Sequence, residues 1–183
     1  MLLDNRPEAL IAVAALAKLG AAAAMCNTKQ RGEVLAHSLG TVEPRALLVG
    51  GELYAAFDAI RDDPRVAGLD PVWFVPGGDM RTPPAGCRDF LAEARNRAAG
   101  NLDDAAAVSR DATCFYIFTS GTTGMPKASR MSHARWLRGG AAMGLAGLRL
   151  TPADRFYCPL PLYHNNALTV SWSSVLCAGA TFA

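Results

Sequence analysis

The chain has 183 residues, half of them hydrophobic, with 18 Lys and Arg against 16 Asp and Glu for a formal charge of +2. Near-neutral charge and the lack of any Lys/Arg run give no basic footprint, which argues against nucleic-acid binding. The five cysteines (Cys26, Cys87, Cys114, Cys158 and Cys177) are odd in number, scattered and without a CxxC pair. They fit a reducing compartment with free thiols better than a disulfide scaffold.

In chain order, Asn5, Arg6, Pro7 and Glu8 read as a helix start: a capping residue, a proline in the first turn and an acid near the positive end. The apolar run over 9–26 is alanine-rich and broken by Lys18 and Gly20. A membrane span needs about 20 strongly apolar residues, so the run predicts a buried helix ending near Lys18 with Gly20 as its stop. The sequence upstream is too short for the charged leader of a signal peptide.

A second helix is expected over 32–39, a buried strand over 45–50, a helix over 52–61 and a strand over 71–78. Residues 88–99 have helical apolar spacing, and "TCFYIFTS" (113–120) is the strongest strand signal in the chain. Residues 132–148 read as a helix capped by Ser132 despite Gly139, Gly140 and Gly144. "RFYCPLPLYH" (155–164) starts as a strand and ends as a proline-marked loop, followed by a helix over about 166–177 and a last strand in "GATFA". Helices alternating with short buried strands predict an α/β fold with a largely parallel sheet flanked by helices, forming one structural unit. Both ends read as cut: "MLLDN" resembles the tail of a strand, and "GATFA" stops inside an apolar run.

The most polar small-residue cluster is "FTSGTTGMPKASRMSH" (118–133). Gly121 and Gly124 permit positive φ and close backbone approach, Ser120, Thr122 and Thr123 supply hydroxyls, and Lys127 supplies fixed charge. The spacing is neither GxxxxGK[ST] nor GxGxxG. Only "KASRM" separates the loop from the helix cap at Ser132, which predicts a strand–loop–strand hairpin. On residue chemistry alone, a polar hairpin turn and a phosphate cradle remain equally open.

"YIFTSGTTGMPK" (116–127) resembles the nucleotide-binding motif of the adenylate-forming (AMP-binding) superfamily, continuously over twelve positions. Ala128 stands where most members carry glycine. With the following Ser132 and His133, it makes the stretch similar to the fatty acid transport protein and very-long-chain acyl-CoA synthetase branch. "DNRPE" (4–8), "LAKLG" (16–20), "NTKQRGEVLAHSL" (27–39) and "PLPLYHNNA" (159–167) agree with that branch in the same order.

The resemblance implies that Thr119, Ser120, Gly121, Thr122, Thr123 and Gly124 wrap the β- and γ-phosphates of ATP, with Lys127 adding charge. It implies Mg2+ as cofactor, and a fatty acid and coenzyme A as the other substrates. His164 is placed beside the acyl carboxylate and nucleotide, weighed against a plain loop histidine held by backbone. Tyr163, His133 and His37 read as structural. Trp136 and Trp172 read as core or acyl-pocket wall.

On the same resemblance, residues 1–183 are a partial adenylation N-terminal domain. The later motifs and the C-terminal domain would lie beyond residue 183, so the isolated chain is expected to be inactive. The expected location is the cytoplasm or the cytoplasmic face of a membrane, with peripheral association of the parent protein. The alternatives are a non-catalytic nucleotide-binding or regulatory fragment and a ligase for another carboxylic acid.

Overall fold

The computed structural model describes residues 1–102, 105, 107–119 and 124–183. Its strands are β1 (Ala23–Met25), β2 (Leu47–Gly50), β3 (Val72–Val75), β4 (Arg88–Asp89), β5 (Thr113–Thr119), β6 (Lys127–Ser132), β7 (Arg155–Phe156) and β8 (Thr181–Phe182). The α-helices are α1 (Pro7–Lys18), α2 (Gly32–Val42), α3 (Tyr54–Asp58), α4 (Phe90–Arg95), α5 (His133–Gly140) and α6 (Ser173–Ala178). Two π-helical runs, Ala141–Gly147 and Asn166–Trp172, continue α5 and lead into α6.

β1 pairs with β5 in parallel and β5 pairs with β6 antiparallel, while β2, β3 and β4 form a parallel group. Residues 1–2 join the two groups. The Met1 nitrogen donates to the Ala24 carbonyl and the Cys26 N–H donates to Met1. On the other side the Leu2 N–H donates to Leu48, and Gly50 donates to Leu2. The spatial order is therefore β6, β5, β1, residues 1–2, β2, β3, β4. Every neighbouring pair except β5 with β6 is parallel, in line with the sheet expected from sequence. β7 and β8 form a separate parallel pair.

Side chains alternate across this sheet, as the two-residue period of a strand requires. Leu2, Cys26, Leu47, Val49 and Phe74 enter the core beneath α2 and α3. Leu3, Met25, Leu48 and Val75 enter the cores on the opposite face, beneath α1 and the C-terminal helices. The chain leaves the central strand through α1 to reach β1 on one side. It then crosses through α2 to reach β2 on the other. Right-handed crossovers in opposite directions put their helices on opposite faces, so both faces are covered, as a parallel sheet needs.

Several local expectations are corrected. Residues 23–25 are strand, although alanine has weak β propensity; pairing with β5 and burial override it. Asn5 is not the cap of α1: the N-cap is Arg6, with no side-chain cap bond, and the Asn5 carboxamide is used elsewhere. The expected helix over 52–61 is a 3-10 turn (Gly51–Leu53) plus the short α3. The start of the expected 88–99 helix is β4, whose Asp89 accepts from the Ala92 N–H and caps α4. Ser132 does cap α5, accepting from the Arg135 N–H.

The glycines in the expected 132–148 helix have a packing reason. A Cβ on Gly140 would lie 2.6 Å from the Ser173 carbonyl oxygen, and one on Gly144 would lie 2.8 Å from the Ser174 Cα. The two helical segments touch backbone to backbone there. Trp136 locks the same junction: its indole N–H donates to Leu168 O at 2.9 Å, and its ring meets Phe115 edge-on at 5.2 Å. A Cβ on Gly139 has only an ordinary contact, 3.5 Å from Thr169 O. Gly140→Ala should therefore destabilise the fold by about 1–3 kcal/mol through overpacking. Gly139→Ala should be neutral or slightly stabilising through helix propensity, and urea unfolding midpoints of the two variants check the contrast.

Candidate functional site

β5 is a strand because Phe115, Tyr116, Ile117 and Phe118 pack well on a pleated, covered surface. Phe115 and Ile117 are buried against Trp136 and Leu168, while Phe118 packs toward the α2 face. The antiparallel register places Thr119 opposite Lys127 at the open mouth of the hairpin. Cross-strand partners share a face, so both side chains lie on the face of Ile117, and both are exposed. The hairpin expected from the short "KASRM" spacing is thus present. Ser120, Gly121, Thr122 and Thr123 lie outside the described residues.

Gly124 adopts φ +85°, and among the described residues a Cβ added there meets nothing within 4 Å. Its glycine is required by backbone conformation rather than by space. Lys127 has no ion-pair partner among the described residues, so its ammonium is available to an anion approaching the mouth.

The other face of the hairpin is held from α2. His37 Nε2 lies 3.1 Å from the carbonyl oxygen of Pro126, the residue before Lys127. A carbonyl only accepts, so Nε2 carries the proton and donates. Thr41 Oγ1 donates to the His37 carbonyl and sits 3.4 Å from the same ring nitrogen. Sequence reading gave His37 a structural role on a polar helix face. Its contact with the loop is long-range, spanning 89 positions, and had no local signal.

His164 is exposed and lies in the turn before the Asn166–Trp172 run, whose first N–H groups it receives: Ala167 donates to the His164 carbonyl at 3.1 Å. Its ring stacks on Tyr163 at 4.7 Å. Tyr163 packs on the core that contains Ile117 and Met25. His164 therefore follows directly on a residue anchored to the Lys127 face of the hairpin. Trp136 and Trp172 are buried core residues.

The turn between the central strand and α1 is tied by charge. Arg6 bonds Glu8 at 3.0 Å and Glu52 at 3.2 Å, and its guanidinium also donates to Pro76 O. The Arg6 hydrogen bond holds the Glu8 carboxyl below the usual range. Arg65 does the same for Asp63, pulling it down to about 2. Burial pushes the Cys114 thiol up to about 12, which leaves it inert at neutral pH.

The loop mouth lies at the carboxyl end of β5, where open α/β sheets bind ligands. An apolar cavity of about 340 Å³ lies at the opposite end, lined by Met1, Leu16, Ala22, Leu47 and Trp73 among others. Its lining also includes Arg45 and Tyr116 of β5. For a phosphate-bearing ligand the mouth offers the Lys127 ammonium, without an ion-pair partner among the described residues, and the open backbone at Gly124, while the Thr119 hydroxyl donates to the Lys127 carbonyl at 3.5 Å. For magnesium, no group of three His, Cys, Asp or Glu side chains gathers among the described residues.

A profile of the AMP-binding enzyme family matches residues 1–183. The chain is 46% identical to a medium/long-chain-fatty-acid–CoA ligase of Mycobacterium tuberculosis, covering all of this chain and 28% of the relative. It is 34% identical to mouse long-chain fatty acid transport protein 6, covering 99% of the chain and 28% of that relative. The chain thus spans a little over a quarter of the length of these relatives. Among solved structures, the N-terminal domain of FACL13 from M. tuberculosis matches with TM-score 0.79 and 26% identity, over 99% of this chain and 42% of that one. An anthranilate CoA ligase in complex with anthranoyl-AMP shares the fold with TM-score 0.87 at 23% identity, over 98% of this chain and 33% of that one.

Two outcomes follow from the geometry. His37→Ala should speed amide exchange at Lys127 about tenfold, the weight of one hydrogen bond of ~1.4 kcal/mol. A unchanged rate would show that the ring does not brace the loop. Separately, depressed carboxyl values mean stability that is present above the ordinary value near 4 and lost as pH falls through the folded value. Urea midpoints should therefore drop from about pH 4 toward pH 2, and the drop should shrink in Asp63→Asn.

Proposed function

The chain belongs to the AMP-binding enzyme family, and from that premise we propose that it is the front part of the adenylation domain of a long- or very-long-chain fatty acyl-CoA synthetase. The parent reaction joins a fatty acid to ATP, giving acyl-AMP and pyrophosphate, and then passes the acyl group to the thiol of coenzyme A. The observation that carries the reading is the hairpin mouth. Thr119 and Lys127 face each other across a short polar loop at the carboxyl end of the sheet. The relative named as a fatty acid–CoA ligase supports the choice of acid.

In this reading Thr119, Ser120, Gly121, Thr122, Thr123 and Gly124 surround the β- and γ-phosphates. Lys127 places its ammonium where negative charge grows on the departing pyrophosphate. Donors set in place before reaction stabilise that charge without reorganising. Holding the carboxylate in line with the α-phosphate converts a bimolecular attack into an oriented one. His164 contributes by position, beside carboxylate and nucleotide, rather than as a proton carrier. Magnesium would supply further neutralisation of phosphate charge.

No described helix is long and apolar enough to cross a membrane. The reading takes the parent to be cytoplasmic or peripheral on the cytoplasmic face of a membrane, the latter supported by relatives named fatty acid transport proteins. The chain spans 28% of the length of the ligase relative it matches, and on this reading residues 1–183 do not turn over alone.

The test is ATP–pyrophosphate exchange by the full-length protein that contains this chain, with a panel of carboxylic acids. Exchange should be driven by long to very long fatty acids, and Lys127→Ala should lower its kcat by about 10²-fold, the weight of one charge-stabilising donor. Exchange with aromatic or short acids alone would replace the substrate. No exchange with any acid, alongside retained ATP binding, would make this a non-catalytic nucleotide-binding protein. Acyl-CoA formation by purified residues 1–183 would refute the expectation that they do not turn over alone.

A further inference from the structure

We propose that Asn5 is a positioning residue for adenylate formation: its carboxamide pins residues 160–162, and through them sets the place of His164. Both ends of the side chain are engaged. Nδ2 donates to the Leu160 carbonyl at 2.9 Å, and Oδ1 accepts from the Leu162 N–H at 2.8 Å. These two groups flank Pro161, which has no N–H of its own to tie the segment down.

The link from the pin to the histidine is short. The His164 N–H donates to the Pro161 carbonyl at 2.9 Å, closing a turn that begins at the pinned residue. The Leu162 side chain is buried with Leu3, Ala9 and Ala12, so the turn sits on the central strand and α1. Asn5 is itself held on both sides. The Asp4 N–H bonds Glu52, and Arg6 bonds Glu8, Glu52 and Pro76. Asn5 makes no cap bond to α1, so local helix chemistry does not account for a carboxamide at this place. Only Asn has both a donor and an acceptor at this reach. Asp would keep the bond from Leu162 and turn an acceptor toward the Leu160 carbonyl; Ala would lose both.

The inference rests on the role given to His164 above, and its test separates the two. In the full-length protein, Asn5→Ala and His164→Ala should each lower the kcat of pyrophosphate exchange about 30-fold, with KM for ATP changed less than about threefold. The double variant should fall no further than about threefold below either single, because residues acting through one another are not additive. A product of the two single losses, near 10³-fold, overturns the proposal.

Amide exchange reads the pin without activity. Asn5→Ala should speed exchange at Leu162 at least tenfold while Val13 in α1 is unchanged. Asn5→Asp should keep Leu162 protected, which guards against a variant that merely unfolds. An unchanged Leu162 rate in Asn5→Ala overturns the pin. Unimpaired exchange in His164→Ala overturns the catalytic role of the histidine, and of Asn5 with it. Absence of pyrophosphate exchange in the unmutated protein instead refutes the function reading, and the Leu162 rates still decide the pin.

Discussion

The Met1 nitrogen and carbonyl bond β1 through Ala24 and Cys26, while the Leu2 N–H and carbonyl bond β2 through Leu48 and Gly50. Without these hydrogen bonds the two strand groups would be separate three-stranded sheets with open edges on the inside. With them, the chain has one central strand from which crossovers depart in opposite directions. The residues just after that strand, Asp4, Asn5 and Arg6, then emerge at the carboxyl end of the sheet. From there they reach the 3-10 turn at Glu52, the end of β3 at Pro76 and the loop at Leu160. A buried backbone pairing thus fixes where three distant loops meet.

The loop region is braced from both faces of the sheet by different chemistry. Below, α2 reaches the hairpin with one polar contact, His37 to Pro126. Above, the 163–172 segment rests on the hairpin through apolar packing of Tyr163, Leu168 and Trp172, with the Trp136 indole N–H closing the contact.

Sequence periodicity revealed the elements that are strong by themselves. β5 was legible because its aromatic and β-branched residues coincide with deep burial, and α1 because proline and an acid sit at its start. The family motif singled out the loop and His164 as candidates. Three kinds of feature were not legible. β1 is an alanine strand, made a strand only by its neighbours. The glycines of α5 and its continuation read as helix breakers, yet they let two helical backbones touch. The contacts of Asn5 and His37 join residues 155 and 89 positions apart. A polar side chain whose partners are backbone groups far along the chain leaves no spacing pattern behind. Asn5 was even misdirected by its sequence setting, since Asn before Arg-Pro-Glu is what a helix cap looks like.

The position of the loop also restricts how an anion can be held there. In loops that run directly into a helix, the helix dipole and its free N–H groups share the charge. Here β6 intervenes, and α5 begins only at His133, with its first-turn donor already taken by Ser132. The helix end is thus separated from the mouth by the whole length of β6. A phosphate at the mouth would depend on loop N–H groups, hydroxyls and the ammonium of Lys127. The lysine is the single full positive charge on the hairpin's mouth among the described residues, with Arg130 turned to Thr113 three positions further along β6. Removing one charge from such a set leaves no dipole to compensate. On the proposed phosphate-binding reading, Lys127 would weigh more in this hairpin than a lysine at a helix terminus.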